Sequence, residues 1–77
     1  MYETLKVTEY LNYTLIGDTG KTKIVGVGNN SGAKLGKISW SGSWRKYVFH
    51  PIVEAQFDVK CLTDIITFIN ELLEERK

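Results

Sequence analysis

The clearest pattern of apolar positions lies at the C-terminal end of the chain. Apolar residues recur there at intervals of three and four, at Val59, Leu62, Ile66, Ile69 and Leu73, with Ile65 and Leu72 widening the stripe. This spacing puts them on one face of a helix that packs against the rest of the domain. Asp58 stands just before the stripe and is suited to cap the helix N-terminus. The sequence predicts a helix over about 58–75.

The middle of the chain has the pattern of an antiparallel meander. Short β-branched or alternating segments at 22–28, 34–40 and 44–50 are separated by turn residues at 28–32 and 41–43, and Pro51 closes the third. The N-terminal segment is ambiguous, because Glu3–Thr8 alternates weakly like an edge strand whereas Thr8 could instead cap a short helix. We predict a short helical or irregular piece around 8–13. The expected fold is α+β, a three-stranded antiparallel sheet followed by one helix, in a single domain over residues 1–77.

Side-chain alternation divides the predicted strands into two faces. In the second strand Leu35 and Lys37 oppose Ile38 and Trp40, and in the third strand large apolar groups occur on both faces. One helix can cover only one face of a sheet. The other face should therefore meet a partner subunit, a ligand or the N-terminal segment.

Length and composition narrow the class of protein. The 77 residues are 43% hydrophobic and 25% charged, typical of one globular domain, and no apolar run approaches the ~20 residues of a membrane span. The start of the chain lacks the shape of a signal peptide, so we expect a soluble protein of the cytoplasm. One Cys and one His exclude an internal disulfide and a four-ligand zinc site. Since so small a core rarely stabilises a domain alone, self-association into a homo-oligomer is expected.

Charge is distributed unevenly although the net charge is only +1. Residues 19–53 contain six cations and no acid, and the acids lie in the segments before and after. Both tryptophans also fall within this block. Cations interleaved with flat aromatic faces suit a ligand that is both anionic and aromatic, such as a nucleotide or single-stranded nucleic acid.

Seven residues are candidates for binding such a ligand. The aromatic ones would stack on bases and the cations would hold phosphate, with His50 at the end of the third strand: Trp40, Trp44, Tyr47, Lys37, Arg45, Lys46 and His50. The alternative is that the aromatic residues are core and the lysines a solvated surface. Arg45 has an equally open alternative, an ion pair with the acidic helix.

Catalytic motifs are nearly absent. Gly20-Lys21-Thr22 resembles the end of a phosphate-binding loop, but the first glycine of that pattern is replaced by Leu15 and no helix follows. A Cys61–His50 pair would place its nucleophile on the inner flank of the helix. We therefore expect no enzyme activity, no cofactor and no metal.

One stretch resembles a known group. The residues Leu35-Gly36-x-Ile38-x-Trp40-x-x-x-Trp44-Arg45-x-Tyr47-x-Phe49-x-Pro51 and Cys61-Leu62-x-Asp64-Ile65-x-x-Phe68-Ile69 resemble a family of short, uncharacterised proteins of bacteriophages and mobile elements. The resemblance covers about residues 21–73. It implies a strand-then-helix fold and a phage context, in which the expected cytoplasm is that of the host cell. It implies no mechanism.

Small phage proteins often antagonise host defence by stoichiometric binding, which suits a chain without catalytic motifs. The first hypothesis is therefore a phage-type protein that sequesters a small anionic nucleotide signal, cyclic ones included, on the aromatic and cationic sheet. One alternative is a protein–protein inhibitor of a host defence protein, docking through an uncovered apolar face. Another is a module that binds single-stranded nucleic acid through the same surface. None of these involves a membrane.

Overall fold

The fold is one antiparallel sheet with a helix packed across one face. A computed structural model describes residues 3–53 and 55–76, without the side chain of Arg76. Five strands follow one another in space in chain order and are succeeded by the helix: β1 (Glu3–Val7), β2 (Leu11–Asp18), β3 (Lys23–Asn29), β4 (Lys34–Ser41), β5 (Lys46–Pro51) and α1 (Val59–Arg76). The expected α+β class with a C-terminal helix on a sheet therefore fits.

The prediction of three strands is wrong, because the N-terminal third of the chain forms two more. Thr8 does not cap a helix over residues 8–13. Its backbone N–H donates to the Leu11 carbonyl at 2.8 Å, and its hydroxyl accepts from the Leu11 N–H at 3.1 Å. These bonds close a tight β1–β2 turn. Beyond it, Leu11 and Tyr13 alternate with polar residues and are fully buried, which is the pattern of a half-buried strand.

The third predicted strand begins two residues late, at Lys46 instead of Trp44. Residues 42–45 form a turn in which the Arg45 N–H donates to the Ser41 carbonyl at 2.7 Å. Arg45 has a φ of 56°, in the left-handed region that only a turn position tolerates in a residue with a side chain. The prediction that Arg45 lies within the third strand is wrong for that reason.

The core lies between the sheet and α1. Tyr13 is stacked flat on Phe68 of the helix, with ring centroids 4.1 Å apart. The buried hydrophobic residues are Leu11, Tyr13, Val25, Val27, Leu35, Ile38, Tyr47, Ile65, Phe68 and Leu72. They draw on every strand except β1, so the core depends on the meander and the helix together.

The predicted helix is present, but the side of it that faces the sheet differs from the side that the sequence pattern indicated. Its N-terminus is capped by Asp58, whose carboxylate accepts from the Cys61 N–H at 2.9 Å; this hydrogen bond lowers the pKa of Asp58. The predicted core stripe is wrong in part, because Leu62 and Ile66 are exposed whereas the neighbouring Ile65 is buried.

Polar contacts on one side of the helix explain the rotation. Tyr13 and Thr8 both donate to the Asp64 carboxylate, the former at 2.8 Å, and Lys6 pairs with Glu71 at 2.7 Å. These bonds hold α1 against β1 and β2. They turn the other side of the helix, which carries the apolar residues Leu62 and Ile66, away from the sheet. No helix within residues 3–53 and 55–76 has the length and apolarity to cross a membrane.

Candidate functional site

The two faces of the sheet have different chemistry. Residues paired across neighbouring strands point to the same face, so the register Tyr13–Val27 and Val25–Ile38 defines the face that α1 covers. On the opposite surface, which we call the open face, apolar side chains such as Ile16 and Val48 are scattered between polar ones. This face carries polar and cationic side chains around two glycines, Gly26 and Gly28.

The open face is shallow at its centre because glycines occupy adjacent rows of β3. A depression of about 370 Å³ lies there, and its lining includes Asn12, Thr14, Ile16, Gly26, Gly28 and Lys34. Asn12 donates to the Asn29 carbonyl at 3.1 Å, which fixes its amide at the upper rim. The depression is open and its lining mixes polar and apolar groups, and it suits a ligand that lies across the strands.

Three lysines run along this face on β4 and β5. Lys34 is opposite Gly28, Lys37 is opposite both Gly26 and His50, and Lys46 is opposite Ser41. The seven residue steps from Lys34 to Ser41 span roughly 23 Å at the rise of a β-strand. Within the part of the chain that the structure describes, none of these three lysines forms an ion pair.

Acidic residues lie elsewhere. Of those in the described ranges, Glu3 and Asp18 are in register with the helix-covered face, Glu9 is in the β1–β2 turn, and the rest lie on α1 or cap it: Asp58, Asp64, Glu71, Glu74 and Glu75. Two lysines on the helix side, Lys6 and Lys23, are paired with these acids. Lys23 contacts Glu75, and the hydrogen bond to that carboxylate raises the pKa of the lysine. The domain is therefore acidic on one side and cationic on the other.

The seven predicted site residues are split between these surfaces. Lys37, Lys46 and His50 point to the open face. Tyr47 points to the core, where it is 5% exposed and its hydroxyl accepts from the Lys23 N–H at 3.1 Å. It is not available for stacking on a base.

The other three lie at the end of the β4–β5 hairpin. Trp40 is half-buried and packs edge-on against Tyr47, with ring centroids 5.4 Å apart. Trp44 is 68% exposed in the turn, and Arg45 beside it is also exposed. A second depression of about 340 Å³ wraps round the β5 edge and brings Trp40, Trp44 and His50 together with Val48 and Phe49.

Sequence reasoning missed the contribution of β2 and the role of Lys34. Asn12 and Thr14 reach the open face because β2 is a strand, and the alternation of Leu11, Tyr13 and Leu15 was the signal that could have shown it. Cys61 is half-buried, and burial raises the pKa of its thiol. No group of three or more metal-binding side chains occurs among the described residues.

Comparison with known proteins finds one full-length relative. The chain is 44% identical over 75 residues to an uncharacterised 9.3 kDa protein of Acholeplasma phage L2, and the match covers 95% of this chain and 96% of that protein. No family model matches, so the tryptophan pattern described above stays a prediction, and no solved structure matches either. The relative supports a phage origin. The chain belongs to the same family as this uncharacterised phage protein.

Proposed function

We propose that the protein is a non-enzymatic binding protein that holds single-stranded nucleic acid along the open face of its sheet. The observation that carries the proposal is the row formed by Lys34, Lys37 and Lys46, which extends roughly 23 Å along β4. Within residues 3–53 and 55–76 no acid forms an ion pair with it. Such a row is longer than one nucleotide. It matches an extended anion with several phosphates.

The rest of the face supplies the other interactions that a single strand needs. Ser39 offers a hydrogen-bonding group along the row, and Asn12 and Thr14 offer theirs on β2, across β3 from the lysines. Trp44 presents a largely exposed aromatic ring at one end of the row, where an unpaired base can stack. Because every base has a flat face, this arrangement favours single strands with little sequence preference.

Fluorescence anisotropy with labelled oligothymidylates of 5, 10 and 20 nucleotides tests the proposal. Three lysine–phosphate contacts on a single strand predict a slope near −2 for the logarithm of the binding constant against that of the salt concentration. Affinity should thus fall about 20-fold between 50 and 200 mM salt, and it should rise with strand length. Binding that is absent, or independent of both salt and length, contradicts the proposal.

Paired substitutions separate this face from general charge effects. Lys34→Gln with Lys37→Gln removes two charges from the open face, whereas Lys21→Gln with Lys60→Gln removes two from the helix side. We expect the first double variant to reduce the salt slope by about 1.4 and the second to leave it unchanged. Trp44→Ala should weaken binding at least fivefold, since stacking contributes ~1–3 kcal/mol per base. Equal effects of the two lysine pairs refute the assignment.

A second candidate is the capture of a small anionic nucleotide, and the depression beside Trp40, Trp44 and His50 favours it. Its volume of about 340 Å³ is within the lower range of small-molecule sites. In a chain with a phage relative, holding a host signalling nucleotide there would antagonise host defence. This candidate predicts that cyclic dinucleotides quench tryptophan fluorescence and compete fully with the oligonucleotides. Quenching by short nucleotides without any gain from longer strands would select it over the first.

A further inference from the structure

The outer edge of β5 has unpaired backbone groups. The Ile52 N–H donates to the Leu35 carbonyl at 2.9 Å, which makes Gly36 and Pro51 a non-hydrogen-bonded pair of the β4–β5 ladder. Alternation along the ladder then directs the N–H and C=O groups of Lys46, Val48 and His50 towards β4. The same groups of Tyr47 and Phe49 point outwards. Among the described strands, none pairs with this edge.

An exposed apolar stripe on α1 lies on the same side of the molecule. Lys6 and Thr8 of the β1 side bind Glu71 and Asp64, and Ile65 faces the sheet. The helix side that carries Leu62 and Ile66 therefore points away from β1, and of all the strands α1 approaches β5 most extensively. Ile66 is 58% exposed.

We propose that these two features form one interface with a second copy of the chain. A twofold axis through Val48, perpendicular to the sheet, would pair β5 antiparallel with β5 of the other copy. Tyr47 of one copy would then stand opposite Phe49 of the other, and their outward groups would form four hydrogen bonds. The same axis keeps both helices on one side of a ten-stranded sheet. It brings their exposed stripes together across the seam.

The surface is complementary to itself, as a twofold interface requires. On the helix side the cross-strand partners are aromatic, and on the open face Val48 meets its own copy on the axis. Lys46 and Pro51 stand at the two ends of β5, where such residues limit further pairing, so the free stretch is the four residues between them. The β1 edge lacks this character, because a bulge at Leu5 and the polar contacts to α1 close it.

The available area and the size of the domain favour this occupant. The smallest side of the molecule measures 22 by 27 Å, so a contact over all of it would cover ~1,200 Å² on the two copies together, the lower end of specific interfaces. A chain of 77 residues with one cysteine has no disulfide to add to its core. Pairing two copies supplies further buried apolar surface.

Mass measurement by light scattering, without nucleic acid, tests this inference independently of the proposed function. At 100 µM the protein should have twice its 8.8 kDa mass. Leu62→Glu with Ile66→Glu should give a monomer with an unchanged far-ultraviolet circular dichroism spectrum. The matched control, Thr63→Glu with Thr67→Glu, places the same charges one residue along on the polar side of α1 and should remain a dimer. A monomeric wild type, a dimeric first variant or a monomeric control overturns the proposal.

Amide hydrogen exchange tests the strand pairing itself. The Tyr47 and Phe49 amides should exchange at least tenfold faster on dilution to the monomer, whereas the Val48 amide, bonded to β4, should stay protected at both concentrations. Equal behaviour of the three amides excludes pairing through β5.

Discussion

Replacing Gly36 by alanine should destabilise the fold through one defined close approach. A Cβ at this position of β4 would lie 2.4 Å from the His50 carbonyl oxygen and 2.8 Å from Cζ of Phe49. Both neighbours resist displacement. The His50 carbonyl belongs to the backbone of the β4–β5 ladder. The Phe49 ring is held edge-on against Phe57, with ring centroids 5.3 Å apart.

The expected cost is that of overpacking a fixed site, about 1–3 kcal/mol of unfolding free energy. In a chain of this length, that lowers the midpoint of thermal unfolding by roughly 5–20 °C. Gly42→Ala is the matched control, since a Cβ there meets nothing within 4 Å and its backbone needs no left-handed conformation. It should change stability by less than ~0.5 kcal/mol. Thermal and urea unfolding of both variants measure the difference, and equal midpoints would refute the packing argument.

Two further predictions concern the core. Tyr13→Phe removes the hydrogen bond to Asp64 and should lower the free energy of unfolding by ~1.5–3 kcal/mol. Burial raises the pKa of the Tyr13 hydroxyl, so the unfolded chain loses the hydroxyl proton at a lower pH than the folded chain does. Wild-type stability should therefore fall above pH ~10 by up to ~1.4 kcal/mol per pH unit. Urea unfolding between pH 8 and 11 should show a shallower fall in the variant, and identical slopes would contradict the assignment. Ile65→Ala should lower the free energy of unfolding by ~2–5 kcal/mol, because Ile65 is buried, whereas Ile66→Ala should lower it by less than ~1 kcal/mol. Both are measured at concentrations where the chain is monomeric. Equal losses would mean that a different side of the helix faces the sheet.

The sequence sufficed for the existence of α1 but not for its rotation. Apolar positions cover about half of the helix circumference, so the three-and-four spacing identifies a helix without saying which part of the arc is buried. Ile65 and Ile66 are identical in type and adjacent, yet only the first is in the core. The choice depends on long-range bonds, above all those from Thr8 and Tyr13 to Asp64.

The strands were predictable where alternation continues and not where it is interrupted. Alternation correctly separates Lys37 from Ile38 and Trp40. It misplaces Leu35, which was expected to share the face of Lys37 and is buried instead, because the β3–β4 register shifts between Val27 and Gly28. Such a bulge inserts a residue that a strict period of two cannot contain.

The sequence was enough to predict that the candidate site is cationic, but not which side chains meet at it. Three of the six cations do produce a cationic surface, because the strands carrying Lys34, Lys37 and Lys46 turn that side away from α1. Proximity in sequence did not bring Tyr47 to the same surface, since neighbours in a strand point to opposite faces. The uncovered face carries lysines and other polar groups beside scattered apolar side chains such as Ile16, and an exposed apolar stripe lies on α1 at Leu62 and Ile66.

If the chain pairs through β5, the two open faces join into one. The two β4 strands are then separated by three inter-strand spacings, so their rows of lysines run antiparallel about 14 Å apart. An oligonucleotide that covers one row should bind a single copy, whereas one long enough to turn back should occupy both. The second contact is then intramolecular, and affinity for the longer strand should rise at least tenfold. Leu62→Glu with Ile66→Glu, which leaves every lysine in place, should abolish that gain while keeping the affinity for the short strand. A gain that persists in this variant would mean that a single copy holds the longer strand by itself.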